Sequence, residues 1–300
     1  MALVGLTSSL GASPNPTDIA VIHKGSHLEF WDLMAEGVDE AALESKYKVS
    51  WIGSEYVDNT PSQIKLVKKA VKEGARAIVL VPTDARALSP VVKEISEKGI
   101  KVVVVDSGIA GHHHKSFVGS DNFAGGAMAA QRLAENLGGV GDVAVIRIAK
   151  GSASTDKRGA GFVQKITRSF PGIDIVADIH TGGLAGSTYR AVSILLKKHP
   201  NLKGLFAVNE SSTEGTLKAL RGAGKAGVIS LVGYDSNSFL EKAVRLGEID
   251  SLIIQNPKEM GYLGVKFACD LLVGLPVPTQ SFTAVRLLDD KTLPAISQEN

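Results

Sequence analysis

The sequence predicts a doubly wound α/β protein with parallel sheets, and three observations support this fold class. Short runs rich in Val and Ile alternate with longer amphipathic segments along the chain after residue 17. The short runs are continuously apolar, which is typical of parallel strands that are covered on both faces. Glycines also stand where helices are expected to end, at Gly99, Gly138 and Gly247. Strands and helices that alternate in this way form α/β folds.

The predicted elements follow each other in a regular order. The predicted strands are Ile19–Ile22, Val49–Ile52, Ala77–Val81, Val102–Val105, Val143–Ile148, Ile173–Ile179, Gly204–Val208, Val228–Val232 and Ser251–Ile254, with a short extra strand at Ser116–Asp121. The predicted helices are Phe30–Leu43, Gln63–Lys72, Ala85–Lys98, Ala124–Leu137, Arg158–Ser169, Ser187–Lys198, Ser211–Arg221, Phe239–Leu246 and Met260–Leu272. A long helix begins just after the extra strand, near Asn122, and we place a lobe boundary there.

Composition excludes several classes of protein. The chain has 300 residues, of which 44% are hydrophobic and 21% are charged, and a formal net charge of +2. This is a globular composition, and the length suggests two domains. The small net charge argues against a dedicated nucleic-acid binder, and no apolar run reaches the ~18 residues of a transmembrane helix. The single cysteine, Cys269, excludes an intrachain disulfide.

The first 17 residues are expected to be a disordered segment or the remnant of a signal peptide. Residues 1–13 are mildly apolar, contain no Lys or Arg, and end in small residues. They are similar to the end of a secretory signal peptide whose basic start is missing, and an expression remnant is the alternative. The pair Asn15-Pro16 then breaks any structure before the first strand.

Polar and aromatic side chains follow the predicted strands at their carboxyl ends, where open α/β sheets bind ligands. The mixture of aromatic rings, carboxylates, amides and a guanidinium suits a neutral polyhydroxy ligand. Each hydroxyl of such a ligand both donates and accepts, and the C–H face of a sugar stacks on an aromatic ring. The candidate residues are Lys24, His27, Glu29, Phe30 and Trp31 after the first strand, Asp106 and Ser107 after the fourth, Ser154 and Arg158 after the fifth, and Asn209, Asp235 and Gln255 after the last three.

Each candidate also has a purely structural interpretation. Asp84 is expected to cap the predicted helix Ala85–Lys98, and Asp106 or Asp235 could serve only as a turn residue. Phe30 and Trp31 could belong to the core, but adjacent positions on a helix cannot both face one core. We therefore expect at least one of the two rings to point elsewhere. The recurrence of polar groups at successive strand ends favours a binding site.

Eight segments, taken in order, resemble a known family. They are Phe30-Trp31, Pro82-Thr83-Asp84, Val105-Asp106, Gly119-Ser-Asp-Asn122, Lys157-Arg158-Gly-Ala-Gly-Phe162, Phe206-Ala-Val-Asn209, Val232-Gly-Tyr-Asp235 and Ile254-Gln255. They are similar to the ribose/galactose-type periplasmic sugar-binding proteins, the soluble receptors of ABC importers, which have the type I periplasmic binding protein fold. The resemblance covers the chain from about Asp18 to Leu288.

The resemblance implies two Rossmann-like lobes with parallel sheets, joined by a three-strand hinge that closes on the ligand. The chain would cross between lobes near Gly119–Asn122, Gln255–Pro257 and Ser281–Val285. The first lobe would comprise residues 18–120 and 256–282, and the second would comprise residues 121–255 and 283–300. Phe30 or Trp31 would stack on a sugar, Asp106 and Asp235 would accept hydrogen bonds from its hydroxyls, and Arg158, Asn209 and Gln255 would complete the network.

The resemblance also implies a function. The chain would be a monomeric periplasmic solute-binding protein that delivers a sugar or sugar-like polyol to a membrane ABC permease. It would bind no nucleic acid, metal or cofactor and would catalyse no reaction. A chemoreceptor is a further candidate partner.

Several departures from the family pattern indicate that the ligand is not ribose. The first loop carries Lys24, His27, Leu28 and Glu29, where ribose binders carry Ser, Asn and Pro. Ser107 replaces an arginine, and Gly182-Gly183 stands where a second stacking aromatic is expected. These changes suggest a polyol, a branched sugar or a substituted sugar. Alternatively, Lys24 and Arg158 could hold the carboxylate or phosphate of a sugar acid or sugar phosphate, and His27 and Glu29 could contact an amine.

Other functional classes lack their motifs. A metal site at His112-His113-His114 would require three consecutive side chains to converge on one ion. The sequence shows no Gly-x-Ser-x-Gly turn, no P-loop and no dinucleotide-binding Gly-x-Gly-x-x-Gly after the first strand. A LacI-type regulator shares the two-lobe fold but needs a DNA-binding headpiece, so this alternative requires a fragment that lacks it.

Overall fold

The computed structural model describes residues 17–25, 28–53 and 59–293, and its helices and strands alternate along these ranges. The strands are β1 (Ile19–His23), β2 (Val49–Gly53), β3 (Ala77–Leu80), β4 (Lys101–Val105), β5 (Ser116–Ser120), β6 (Val140–Arg147), β7 (Gly172–His180), β8 (Leu202–Ala207), β9 (Ser230–Tyr234), β10 (Ser251–Ile254), β11 (Gln280–Thr283) and β12 (Arg286–Asp289). The helices are α1 (Glu29–Glu44), α2 (Thr60–Lys72), α3 (Ser89–Glu97), α4 (Asn122–Asn136), α5 (Ala153–Ser169), α6 (Ala185–Lys198), α7 (Glu210–Gly222), α8 (Ser238–Arg245) and α9 (Pro257–Leu272).

The strands form two six-stranded sheets, one in each lobe. The first sheet has the order β11-β5-β4-β3-β1-β2, and all of its neighbouring strands are parallel. The second sheet has the order β12-β10-β9-β8-β6-β7, and it is parallel except for β12, which pairs antiparallel with β10. The predicted fold class, two α/β lobes with parallel sheets, is therefore confirmed.

The two faces of each central strand contribute to different cores. In β3, Val79 packs with α1 and α9 on one face of the first sheet, whereas Ile78 packs with α2 and α3 on the other. Both side chains are buried. This double burial explains why the strands are continuously apolar in sequence, because each side chain meets a helix whichever way it points.

Along the part of the chain that the structure describes, it passes between the lobes at three places. It leaves the first sheet after β5 and enters α4, which packs beside β9 and β10. It returns after β10 into α9, which packs on α1 and β4. It crosses again between β11, in the first sheet, and β12, in the second. The two lobes thus share three connections of a few residues each, which allows one lobe to turn against the other.

Some predicted boundaries were wrong. The helix expected at Ala85–Lys98 begins at Ser89, and Asp84 instead caps the preceding turn, where its Oδ1 accepts hydrogen bonds from the N–H groups of Arg86 and Ala87. Helix α5 begins at Ala153, earlier than the predicted start at Arg158. The prediction missed the first turn because that turn is polar and carries no apolar signal. Strand β12 was not predicted as a separate strand.

The structure can also be compared with the expectations for the signal remnant, for membrane-spanning helices and for Cys269. The expected signal remnant lies almost wholly outside the described residues, which begin at Thr17. None of the helices in the described ranges is long and apolar enough to cross a membrane. Cys269 is a half-buried free thiol on α9.

Candidate functional site

A cavity of about 50 Å³ lies between the carboxyl ends of the strands of the two sheets. Loops and helix starts from both lobes line it, as expected for a ligand site at the strand ends of open α/β sheets. Nine of the twelve predicted site residues border this cavity. They are Lys24, Phe30, Trp31, Asp106, Ser154, Arg158, Asn209, Asp235 and Gln255.

Phe30 and Trp31 form the aromatic wall of the cavity. They lie in the first turn of α1, with ring centroids 4.9 Å apart and ring planes at 87°. Both rings pack in the core of the first lobe and both border the cavity. The expectation that one of them would point away from the core was therefore wrong. At the first turn the helix lies at the edge of the core, so adjacent side chains reach both the core and the cleft.

His23 supports this aromatic wall from behind. Its ring stacks on Trp51 at a centroid distance of 4.2 Å and contacts Trp31 at 5.6 Å. Its Nδ1 accepts a hydrogen bond from the N–H of Gly25. Burial lowers the pKa of His23 to about 4, so the ring is neutral near pH 7. A neutral, packed ring fixes the position of Trp31 without adding a charge behind the cavity.

Asp106 and Asp235 project from the ends of β4 and β9 with left-handed backbone conformations, at φ 59° and 65°. In each lobe the aspartate N–H donates to a carbonyl of the next strand, Val118 or Ile253, at 2.8 Å. Aspartate tolerates positive φ better than most residues, which makes it suited to this sharp turn at the end of a strand. The turn brings one carboxylate from each sheet to the cavity.

Lys24 is paired with Asp106. Its Nζ lies 3.1 Å from Asp106 Oδ2 and donates to Ser152 Oγ, in the second lobe, at 3.3 Å. The lysine and the aspartate are both buried. The positive charge of Lys24 is therefore compensated within the first lobe.

Arg158 and Asp235 form the corresponding pair in the second lobe. The Arg158 guanidinium lies 3.6 Å from Asp235 Oδ2 and stacks 3.8 Å above the Tyr234 ring. It also donates to Asn122 Oδ1 at 2.7 Å and to the carbonyl of Val208 at 3.0 Å. Burial raises the pKa of Asp235, and the charge of Arg158 opposes that rise.

Gln255 offers the cavity an unused hydrogen-bond acceptor. Its Nε2 donates to Asp235 Oδ1 at 2.6 Å. Its buried Oε1 has no partner among the described residues. A buried acceptor without a donor is unfavourable by about 1–3 kcal/mol, and a ligand hydroxyl could supply the donor.

Two predicted residues, Glu29 and Ser107, do not line the cavity. Glu29 has an exposed side chain, and Ser107 is buried beside the cavity, where its Oγ accepts a hydrogen bond from the N–H of Ser154 at 3.2 Å. Glu29 lies on the outer face of α1, and Ser107 joins the two lobes. His27 lies outside the described residues.

Within the described ranges, five residues that border the cavity were not among the predicted site residues. They are Gly25, Leu28, Ile148, Thr155 and Gly183. Each stands in a loop or helix start that the strand pattern had located. Leu28 was noted only as a departure in the first loop, and nothing in the sequence distinguished the apolar Ile148 from a core residue. Gly183 leaves the wall without a ring at the position where a second aromatic was expected.

The two lobes touch across the cleft, so the structure represents the closed arrangement. The N–H of Ala85 donates to the carbonyl of Gly151 at 3.0 Å, and the Oγ atoms of Ser107 and Ser154 are 3.3 Å apart. Within the described ranges, no cluster of three or more His, Cys, Asp or Glu side chains is suited to hold a metal ion.

Comparison with known proteins places the chain in a family. The model of the periplasmic binding protein domain matches residues 19–276. The chain belongs to this family. The D-ribose/D-allose-binding protein of Pseudomonas aeruginosa is 30% identical over 271 residues, covering 87% of this chain and 84% of the relative. The ribose import binding protein of Bacillus subtilis is 28% identical over 255 residues, covering 83% and 79%.

Solved structures of periplasmic binding proteins have the same architecture. The periplasmic component of an ABC-type sugar transport system from Hahella chejuensis has a TM-score of 0.87 at 34% identity, covering 90% of this chain and 99% of that chain. A carbohydrate transporter solute-binding protein from Agrobacterium radiobacter, in complex with D-arabinose, has a TM-score of 0.89 at 28% identity, covering 93% and 96%.

Proposed function

We propose that this periplasmic binding protein is the solute receptor of an ABC importer and captures a neutral sugar or sugar-like polyol between its lobes. One observation carries the proposal. The closed cleft brings an aromatic wall, Phe30 and Trp31, together with two buried ion pairs that contain Asp106 and Asp235. Similarity to sugar-binding relatives supports the same assignment.

The cavity matches the chemistry of a polyhydroxy ligand. Its apolar wall suits the C–H face of a sugar ring, and the carboxylates of Asp106 and Asp235 suit hydroxyl donors. Asn209 and Gln255 add amide groups that can both donate and accept. When the lobes close, these groups are shielded from water, so each hydrogen bond to the ligand gains strength.

The charge balance favours a neutral ligand over a sugar acid or sugar phosphate. The two cations of the cavity, Lys24 and Arg158, each lie beside an aspartate. A bound anion would have to compete with Asp106 and Asp235 for these partners. The regulator alternative has no support from the relatives, a D-ribose/D-allose-binding protein and a ribose import binding protein.

We infer the wider role from the family. A receptor of this kind works in the periplasm, hands its ligand to a membrane permease and carries out no chemistry. The lobe boundaries proposed above, residues 18–120 with 256–282 and 121–255 with 283–300, place the cavity at the lobe interface. A monomeric state and a chemoreceptor partner remain predictions.

A thermal-shift screen of the purified protein tests the proposal. The panel contains pentoses, hexoses, alditols, inositols, sugar acids and sugar phosphates. A ligand at 1,000 times its Kd adds about 4 kcal/mol of stability, which raises the melting temperature by several degrees. We expect the largest shift from a neutral sugar or polyol. A shift only with acids or phosphates would contradict neutral-ligand selectivity, and no shift across the panel would contradict the proposed function.

A further inference from the structure

Helix α1, which carries the aromatic wall, is not capped by the side chain of its own N-cap residue. Its N-cap residue is Leu28, whose apolar side chain makes no capping hydrogen bond. The first N–H groups of a helix have no acceptor within the helix and need one from outside. Here the acceptor comes from the second lobe.

Glu210, the first residue of α7, supplies it. Its Oε1 accepts from the N–H of Glu29 and its Oε2 accepts from the N–H of Phe30, both at 3.4 Å. A carboxylate at a helix N-terminus also interacts favourably with the helix dipole. Glu210 is 2% exposed, so this contact is enclosed between the lobes.

Glu210 is also connected to the ligand cavity within its own lobe. Its N–H donates to Asp235 Oδ2 at 3.3 Å. Its Oε1 accepts from Asn237 Nδ2 at 2.8 Å. A single residue therefore contacts the carboxylate on one side of the cleft and the start of the aromatic wall on the other.

We propose that Glu210 is a positioning residue for ligand binding. It acts as a latch, by which we mean a hydrogen-bonded contact that joins the closed lobes, and it holds the aromatic wall of Phe30 and Trp31 opposite Asp235. This inference rests on the proposed sugar-binding function for its biological meaning. The latch itself is a contact between the lobes and needs no ligand. Burial raises the pKa of Glu210 to about 7, which agrees with a carboxyl group enclosed at a closed interface.

Disulfide trapping without any sugar tests the latch. Ser107→Cys and Ser154→Cys, in a Cys269→Ser background, place two thiols across the cleft where the hydroxyl oxygens are 3.3 Å apart. A disulfide requires an S–S distance of about 2.05 Å, so it forms only when the lobes close. The rate of its formation under a fixed oxidant reports how often the closed arrangement is visited.

Glu210→Ala is compared with Glu214→Ala in this background. Glu214 also accepts from Asn237, and it pairs with Lys218, but these contacts lie within the second lobe. We expect Glu210→Ala to slow disulfide formation about tenfold, the effect of losing one or two hydrogen bonds between the lobes, and Glu214→Ala to leave the rate unchanged.

The outcomes separate the latch from the proposed function. Equal rates for the two variants would overturn the latch whether or not a sugar binds. A slower rate for Glu210→Ala, with no hit in the thermal-shift panel, would support the latch and overturn the sugar-binding assignment. If Glu210→Ala does not fold by circular dichroism, Glu210→Met replaces it. This variant keeps the length of the side chain but has no acceptor oxygen, so a slower rate supports the latch and an unchanged rate overturns it.

Discussion

Asp106 and Asp235 occupy corresponding positions in the two lobes: each follows a central strand, each has a left-handed backbone, and each pairs with a buried cation. Their partners differ, because Lys24 directly follows β1 whereas Arg158 lies in α5. Both lobes thus use a left-handed residue at a strand end to bring a carboxylate to the cleft. The cation that pairs with this carboxylate differs between the lobes.

Replacing Asp235 by asparagine should weaken ligand binding. The amide tolerates the left-handed backbone but leaves the charge of Arg158 without its buried anion. We expect a loss of about 10- to 100-fold in affinity, corresponding to about 1.5–3 kcal/mol, measured by titration calorimetry with the sugar selected in the screen. Lys157→Ala is the control, since Lys157 is exposed and lies next to Arg158 on α5. Unchanged binding by Asp235→Asn would show that the site is misassigned.

The left-handed backbone at Asp106 should affect the free energy of unfolding of variants at this position. Alanine at φ 59° is strained, whereas glycine adopts this conformation freely. Both variants lose the pair with Lys24, so the difference between them isolates the backbone. We expect Asp106→Ala to unfold about 1 kcal/mol more easily than Asp106→Gly in urea. Equal stability would mean that the strand end relaxes in the variants.

His23 should make the protein less stable in mild acid. Its pKa is about 4 when folded, against 6.5 for the free side chain, so the unfolded chain binds the proton more tightly. The contribution of His23 to the free energy of unfolding is fully present above pH 6.5. It decreases by about 3 kcal/mol as the pH falls towards 4.

The comparison of His23→Phe with the wild type isolates this contribution. The variant keeps a ring between Trp31 and Trp51 but cannot titrate, so its melting temperature should fall less between pH 6.5 and 4. The exposed His180→Gln serves as the control and should follow the wild type. Parallel curves for His23→Phe and the wild type would contradict the low pKa.

Glu210 should take up protons when the lobes close on a ligand. Its pKa rises from an ordinary 4.5 to about 7 at the closed interface, so closure is favoured below pH 4.5 and this advantage is lost as pH rises through 7. The charged groups around it are Asp235 with its partner Arg158, Glu214 beyond Asn237, and the exposed Glu29 and Asp32 on α1.

Calorimetry in two buffers of different ionisation enthalpy measures this uptake. At pH 6–7 the wild type should bind protons together with the sugar. Glu210→Gln should bind fewer, because the amide side chain cannot take up a proton in this range. Identical proton uptake by the two proteins would rule out Glu210 as the titrating group.

Local patterns in the sequence were sufficient for the fold and for most of the cavity wall. Buried strands such as β3 and β4 are apolar on both faces, and polar residues mark the points where they end. Because parallel strands end on one edge of their sheet, Asp106, Asn209, Asp235 and Gln255 could be placed near a common cleft without coordinates.

The chain by itself therefore determined the two α/β lobes and the strand-end residues, since both depend on periodicity over a few neighbouring positions. Only the tertiary structure decided which groups pair. Lys24 with Asp106, Arg158 with Asp235, and Glu210 with the start of α1 join residues far apart in the chain, 181 positions apart in the bond from Glu29 to Glu210. Such contacts leave no periodic trace, because they join different elements of one lobe or, at Glu210, elements of the two lobes, which come together only in the folded chain.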